Sequence, residues 1–175
     1  MRIRTVTALF GVVVVSNVAS AQTASPVADA FRSFAADQAK NLTAAAEEFP
    51  ADKYSYKPTP AQRSFAEVVV HLSDGNDFFC GSISGTKAPT RTKVAATAPK
   101  AELVARLKET FAFCNTALAG LDDSKLSEQL DFFGGRKVSR ASMMDITVGD
   151  WADHYSQSAI YMRLNGLLPP TAKKP

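Results

Sequence analysis

GDWADHYSQSAIYMRLNGLLPP, residues Gly149–Pro170, holds both a helix ending and a pair of side chains suited to a metal ion. Asp150 and His154 stand four apart, so on a helix they lie on one face, one turn above the other. A helix offers two ligands to one ion in this way. Ile160, Leu164 and Leu167 continue as an apolar stripe, and Asn165-Gly166 followed by Pro169-Pro170 supplies a left-handed cap and a stop. The helix is therefore predicted to run to about Leu164.

Working upstream, this last helix begins near Ser139 or Ser142 and carries Met143, Met144, Ile146 and Val148. Before it, Asp131-Phe132-Phe133-Gly134-Gly135-Arg136 reads as an apolar segment with a tight turn, a short hairpin. From about Lys100 to Ala119, Leu103, Leu107, Phe111, Cys114 and Leu118 give the cleanest amphipathic pattern in the chain, ended by Gly120. The preceding stretch, Thr86 to Pro99, is rich in Thr, Lys, Ala and Pro and has no apolar period. It is expected to be the most mobile or variable part.

A further helix starts at Ser64, with Glu67 completing a capping-box signature. Phe65, Val68, Val69, Leu72, Phe78 and Phe79 form its stripe, His71 lies within it, and the chain is expected to turn after Cys80 through Gly81-Ser-Ile-Ser-Gly85. Gly75 weakens the helix interior by about 1 kcal/mol relative to Ala, which points to close packing or a local distortion there. The first helix runs from Val27 to about Glu48, with Val27, Phe31, Phe34, Leu42 and Phe49 on one face and Ala filling the gaps. Pro50 disfavours helical geometry at Phe49. Tyr54, Tyr56, Pro58 and Pro60 form an extended linker whose tyrosines are expected to pack over one end. Four long helices, no repeats and no convincing sheet predict an all-α four-helix bundle.

Arg2 and Arg4 precede an apolar run from Val6 to Val15, and Ala19-Ser20-Ala21 presents small residues at the spacing of a cleavage site. Met1–Ala21 is read as a secretory signal peptide, because an apolar core of about ten residues is roughly half a membrane span. Removing 21 residues from 175 leaves a domain of 154, residues 22–175, enough for one buried core. Loss of the two arginines takes the formal charge from +3 to +1. A nearly neutral chain gives no electrostatic case for nucleic acid or an acidic membrane surface. A soluble secreted or periplasmic protein is expected, with no membrane association after signal cleavage.

Cys80 and Cys114 are the only cysteines. In an exported chain such a pair favours a structural disulfide, which would also tether the Thr86–Pro99 loop at both ends. Two buried free thiols or one reactive cysteine are the alternatives. His71 and His154 are the only histidines. A lone histidine on an apolar helix face is usually a core residue, but inward-facing side chains from different helices are how bundles build metal sites. His71, Asp150 and His154 would form a two-histidine, one-carboxylate set suited to Zn, Fe, Ni or Mn. Gln157 could orient a bound group or be an ordinary polar neighbour, whereas Trp151, Tyr155, Tyr161 and Arg163 are read as packing or surface residues. No G-x-S-x-G motif or suitable triad supports serine chemistry.

RSFAEVVVHLSDGNDFFCG, KAELVARLKETFAFCNTALAGL and DHYSQSAIYMRLNGLLPP together resemble the DinB-like (DinB/YfiT) superfamily, in particular its secreted bacterial members. The resemblance covers almost the whole mature chain in the same order. Its most specific parts are the helix-two histidine and the closing H-Y-x-x-x-x-x-Y-x-R-x-x-G-x-x-P-P. It implies an up-down-down-up bundle, often a homodimer, with a divalent metal held by one histidine on helix two and an H-x-x-x-H pair on the last helix. It also implies a small-molecule substrate, since some relatives are thiol-dependent S-transferases or isomerases and many are described as metal-dependent hydrolases. Carried across, the ligands are His71 and His154, and the first position of the pair falls on Asp150, a departure from histidine. Two expectations follow: an exported metal-dependent hydrolase or thiol transferase, or a non-catalytic periplasmic binding or assembly module whose metal site has degenerated.

Overall fold

The computed structural model describes residues 25–173; the signal-peptide expectation lies outside them. Four helices dominate: α1 (Pro26–Glu48), α2 (Phe65–Ser84), α3 (Lys100–Leu118) and α4 (Arg140–Leu164). A two-stranded antiparallel hairpin, β1 (Gln129–Asp131) with β2 (Lys137–Ser139), precedes α4 and pairs Leu130 with Val138. Its turn uses Gly134 and Gly135, both at positive φ where a side chain would be strained. Among the described residues no helix is long and apolar enough to cross a membrane.

Side-chain pairings fix the direction of each helix. Asn76 meets Thr110 and Cys80 meets Cys114, so α2 and α3 run parallel. Tyr161 reaches Arg63 while Trp151 reaches Asn76, so α4 runs against α2. Arg32 binds the carbonyl of Leu121 and Glu47 pairs with Lys108, so α1 opposes α3. Val27 and Phe31 face Ala141 and Met144, and Glu48 pairs with Lys173 beyond α4, so α1 and α4 are parallel. The order is up-down-down-up, a four-helix bundle.

The helix ends have local causes. Ser64 accepts from the Glu67 amide while the Glu67 carboxylate accepts from the Ser64 amide at 2.6 Å, a complete capping box. Asp123 caps α1 from a distance, accepting from the Val27 and Ala28 amides at 3.1 and 2.8 Å. At the far end of α4, Gly166 sits at φ 74, Leu167 donates to the Met162 carbonyl and Gly166 to that of Arg163. This is the Schellman pattern that Asn165-Gly166 implied. Tyr54 is buried against Phe49 and Phe65, and Tyr56 meets Tyr161 edge-on, closing one bundle end as expected of the linker.

Several expectations need correction. Helix α2 does not turn after Cys80 but continues through buried Ile83 to Ser84, ending at Gly85 with φ 73. On α1 the buried face consists mainly of Ala28, Ala35, Ala45 and Ala46 beside Phe31 and Leu42, whereas Val27 is exposed. Small residues there let neighbouring helices approach closely. On α4, Ile160 and Leu164 are 52% and 58% exposed, and the inward face is Met143, Met144, Thr147, Trp151, His154, Ser158, Tyr161 and Met162. That face recurs at helical spacing but is partly polar, so apolarity alone picks the wrong side.

The crossover from Gly85 to Pro99 carries no helix or strand. Because α2 and α3 are parallel, the chain must return the length of a helix, about 30 Å, and 15 extended residues can reach about 50 Å. It is pinned as it goes. Arg91 places Nε 2.7 Å from Asp77 on α2 and Nη1 3.2 Å from Glu109 on α3, and Arg106 donates to the Thr92 carbonyl. Val94, Ala96 and Ala98 pack against the core. The Cys80–Cys114 disulfide is formed, with Cα atoms 5.1 Å apart. It joins the last turns of α2 and α3 and does not hold both ends of the crossover, whose exit lies at the opposite end of α3.

Candidate metal centre

The site is set by how α2 and α4 are registered against each other. Trp151 is fully buried, stacked with Phe31 and tilted against Phe111, and donates its indole N–H to Asn76 Oδ1 at 2.7 Å. Asn76 donates in turn to Thr110 on α3, whose hydroxyl donates to the Leu107 carbonyl. Each side chain of this Trp151–Asn76–Thr110 relay finds its partner inside the core, which fixes the rotation of α4. With Trp151 locked inward, its neighbour Asp150 points along the α2–α4 seam, and His154 lies one turn above.

His71 from α2 completes the group. Its Nε2 is 3.3 Å from Asp150 Oδ1, and His154 Nε2 is 3.4 Å from the same oxygen. The two imidazoles meet edge to face with centroids 4.6 Å apart. One ligand atom from each of His71, Asp150 and His154 falls within 4.8 Å of the others. Ligand atoms held at metal-bond lengths around one tetrahedral ion stand about 3.3 to 3.6 Å apart; the two Asp150–imidazole separations match this, and the wider 4.8 Å bound on the whole set means that the two imidazoles would draw together around a divalent cation. The shorter aspartate reaches both rings, so the departure from histidine does not open the cluster.

Burial is graded across the three. The His71 side chain is 36% exposed, Asp150 is half-buried, and His154 is 5% exposed, so access is from the α2 side. Burial pushes the Asp150 carboxyl up, but hydrogen bonds from His154 and His71 overcome it and hold it well below the usual carboxylate range. Asp150 is therefore the carboxylate member of the set, the one that brings negative charge to a bound cation. The Nδ1 of His154 is buried without a partner, so no protein group orients that ring from behind.

All three sequence-predicted ligands are brought together. Gln157 is not part of the group: it donates to Asp153 at 2.6 Å. Tyr161 anchors the loop before α2 through the Arg63 carbonyl, and Tyr155 ties down the tail through Thr171. Gly75, one turn beyond His71, shows neither distortion nor tight packing, since an added Cβ would meet Phe79 at 3.7 Å and Asp150 at 3.8 Å, ordinary contacts. The residues that sequence reasoning missed are Asn76 and Thr110. A cavity of about 530 Å³ lies elsewhere, between α1 and α3, lined by Ala35, Ala39, Phe111 and Leu118.

Among curated proteins none matches the chain. Solved structures do. A DinB-like protein of Bacillus subtilis superposes with a TM-score of 0.64 at 20% identity, covering 83% of this chain and 99% of that one. A DinB-like protein of Bacillus cereus gives 0.67 at 18% identity, covering 81% and 95%. A conserved protein of Enterococcus faecalis gives 0.63 at 16%, covering 79% and 96%. At such identities the likeness establishes the fold alone. A family model described as the DinB superfamily matches residues 35–158, a span that includes α2, α3 and all three clustered side chains. This chain belongs to the DinB superfamily.

Proposed function

We propose that the protein is an exported metal-dependent enzyme of the hydrolase or thiol S-transferase type, with His71, Asp150 and His154 holding a divalent ion. The observation that carries this reading is the convergence of three ligand atoms, from two antiparallel helices, within 4.8 Å. Such an ion, when bound, lowers the pKa of water or of an incoming thiol so that a nucleophile exists near neutral pH. The protein's own residues do the rest. Asp150 turns both Nε2 atoms toward one point, the Trp151–Asn76–Thr110 chain fixes the α2–α4 register, and partly exposed His71 marks the side from which a small substrate enters. The Cys80–Cys114 bridge supports export, since disulfides persist in oxidising compartments.

Elemental analysis of protein purified without chelator or affinity histidines tests this. One equivalent of Zn, Ni, Mn or Fe is expected, lost in His71→Ala and His154→Ala while the helical circular dichroism is retained. No metal after reloading with all four ions would overturn the enzyme reading. One observation favours the second reading, a non-catalytic periplasmic module. Asp150 Oδ1 already lies within hydrogen-bond distance of both imidazoles, an arrangement complete without an ion.

A further inference from the structure

Gly75 is a glycine without a structural reason. It lies inside α2, its φ is not positive, and a Cβ would make only ordinary contacts. An alanine there would fit and would favour the helix by about 1 kcal/mol. What glycine leaves is a notch. The missing Cβ would stand 3.8 Å from Asp150 Oδ2 and 3.7 Å from two carbons of the Phe79 ring, so the notch lies between the metal-ligand cluster and a ring that is itself only 7% exposed.

Phe79 is the buried base of a larger aromatic group whose exposed member is Phe133. Helical side chains lean toward the N-terminus, which carries the Phe79 ring back over Gly75. Phe78 meets Phe79 edge-on at 5.2 Å and stacks on Phe133 at 4.4 Å, and Phe133 adjoins Phe132 at 4.9 Å. The guanidinium of Arg136 covers the Phe132 ring. Phe133, at the hairpin tip, is 56% exposed. Along α2 the cluster lies roughly 10 to 12 Å from His71, within the span of a small molecule. Ligand sites commonly combine apolar, aromatic walls with a few convergent polar groups.

We propose that the Gly75 notch, floored by the buried Phe79 ring, and the adjoining Phe78–Phe133 face form a recognition subsite for a planar aromatic group of a small-molecule substrate whose reacting end lies at His71, Asp150 and His154. The position of the reacting end rests on the metal-centre reading; the aromatic subsite itself does not. The Phe133 ring stacks on Phe78 and is still 56% exposed, so it supplies the accessible aromatic area, and Gly75 lets a flat group lie close to Asp150.

Two probes separate the claims. Zinc-loaded protein is titrated calorimetrically with 4-phenylbutyrohydroxamate, whose extended chain carries its ring roughly 10 Å from the chelating oxygens, and with butyrohydroxamate, which lacks the ring. The phenyl compound is expected to bind about tenfold tighter, the order set by removing one ring face from water. The preference should fall severalfold in Phe133→Ala and in Gly75→Ala, while the affinity of the ringless compound stays the same. Zinc-free protein is titrated with benzamide by NMR, which should shift resonances of residues 75–79 and 132–135. Equal affinity for the two hydroxamates, or benzamide shifts confined to other regions, would overturn the subsite. Absence of zinc binding would overturn the metal reading alone, because the benzamide arm needs no metal. Self-association that disappears in Phe133→Ala, with benzamide shifts absent, would assign the face to a second copy of the chain and overturn the proposal.

Discussion

Asn76 does more for the site than its position on α2 suggests. It accepts from buried Trp151 and donates to buried Thr110, so one amide links three helices. Asn76→Ala should destabilise the protein by about 2 to 3 kcal/mol, because it strands the buried indole N–H of Trp151 and removes the donor to the Thr110 oxygen. Urea unfolding would read this, and metal affinity should fall with it as the α4 register loosens. Gly75→Ala should act in the opposite direction, raising stability by about 0.5 to 1 kcal/mol. Asp150→Asn should lower metal affinity by more than about tenfold with little change in fold, measured by competition with a chelating dye. At this scale the ligands were legible because Asp150 and His154 stand one turn apart and His71 interrupts an apolar stripe. Asn76 was not: a polar residue inside a helix has no signature until its partners, 34 and 75 residues away, are in place.

At the scale of elements, starts were more legible than stops. The Ser64–Glu67 capping box is spelled out locally, and both of its hydrogen bonds form. Ser64→Ala should cost about 1 kcal/mol. The box is also acid-sensitive. The Glu67 carboxyl is held below its ordinary value first by the Ser64 backbone N–H and then by the Ser64 hydroxyl. A carboxylate with a depressed folded-state pKa contributes in full above its unfolded value of about 4.3, and the contribution is lost as pH falls through the folded value. The urea midpoints of the wild type and Glu67→Ala should therefore converge below about pH 4. The end of α2 was misjudged because Gly81 and Ser82 resemble a turn. Burial of Ile83 and the bridge at Cys80 carry the helix four residues further. The stripe on α4 was misjudged because its inward face includes Thr147, His154 and Ser158.

For the whole molecule, the count of helices followed from periodicity, but their directions did not. A parallel α2–α3 pair depends on contacts between distant segments and was implied by resemblance alone. The disulfide closes a loop of 34 residues, which the chain-entropy account values at about 3 to 4 kcal/mol. Cys80→Ala with Cys114→Ala should lower the melting temperature by about 10 °C. Both sulfurs are buried, so dithiothreitol should reduce the native protein slowly and the urea-unfolded protein at once. The crossover has its own fastening in Arg91, a single guanidinium straddling two acidic side chains on different helices. A backbone strap held at its middle gives a protease little slack to draw into its cleft. Trypsin should leave the folded chain intact between α2 and α3, and Arg91→Ala should make Lys87 and Lys93 the first bonds nicked, with both fragments still joined through sulfur.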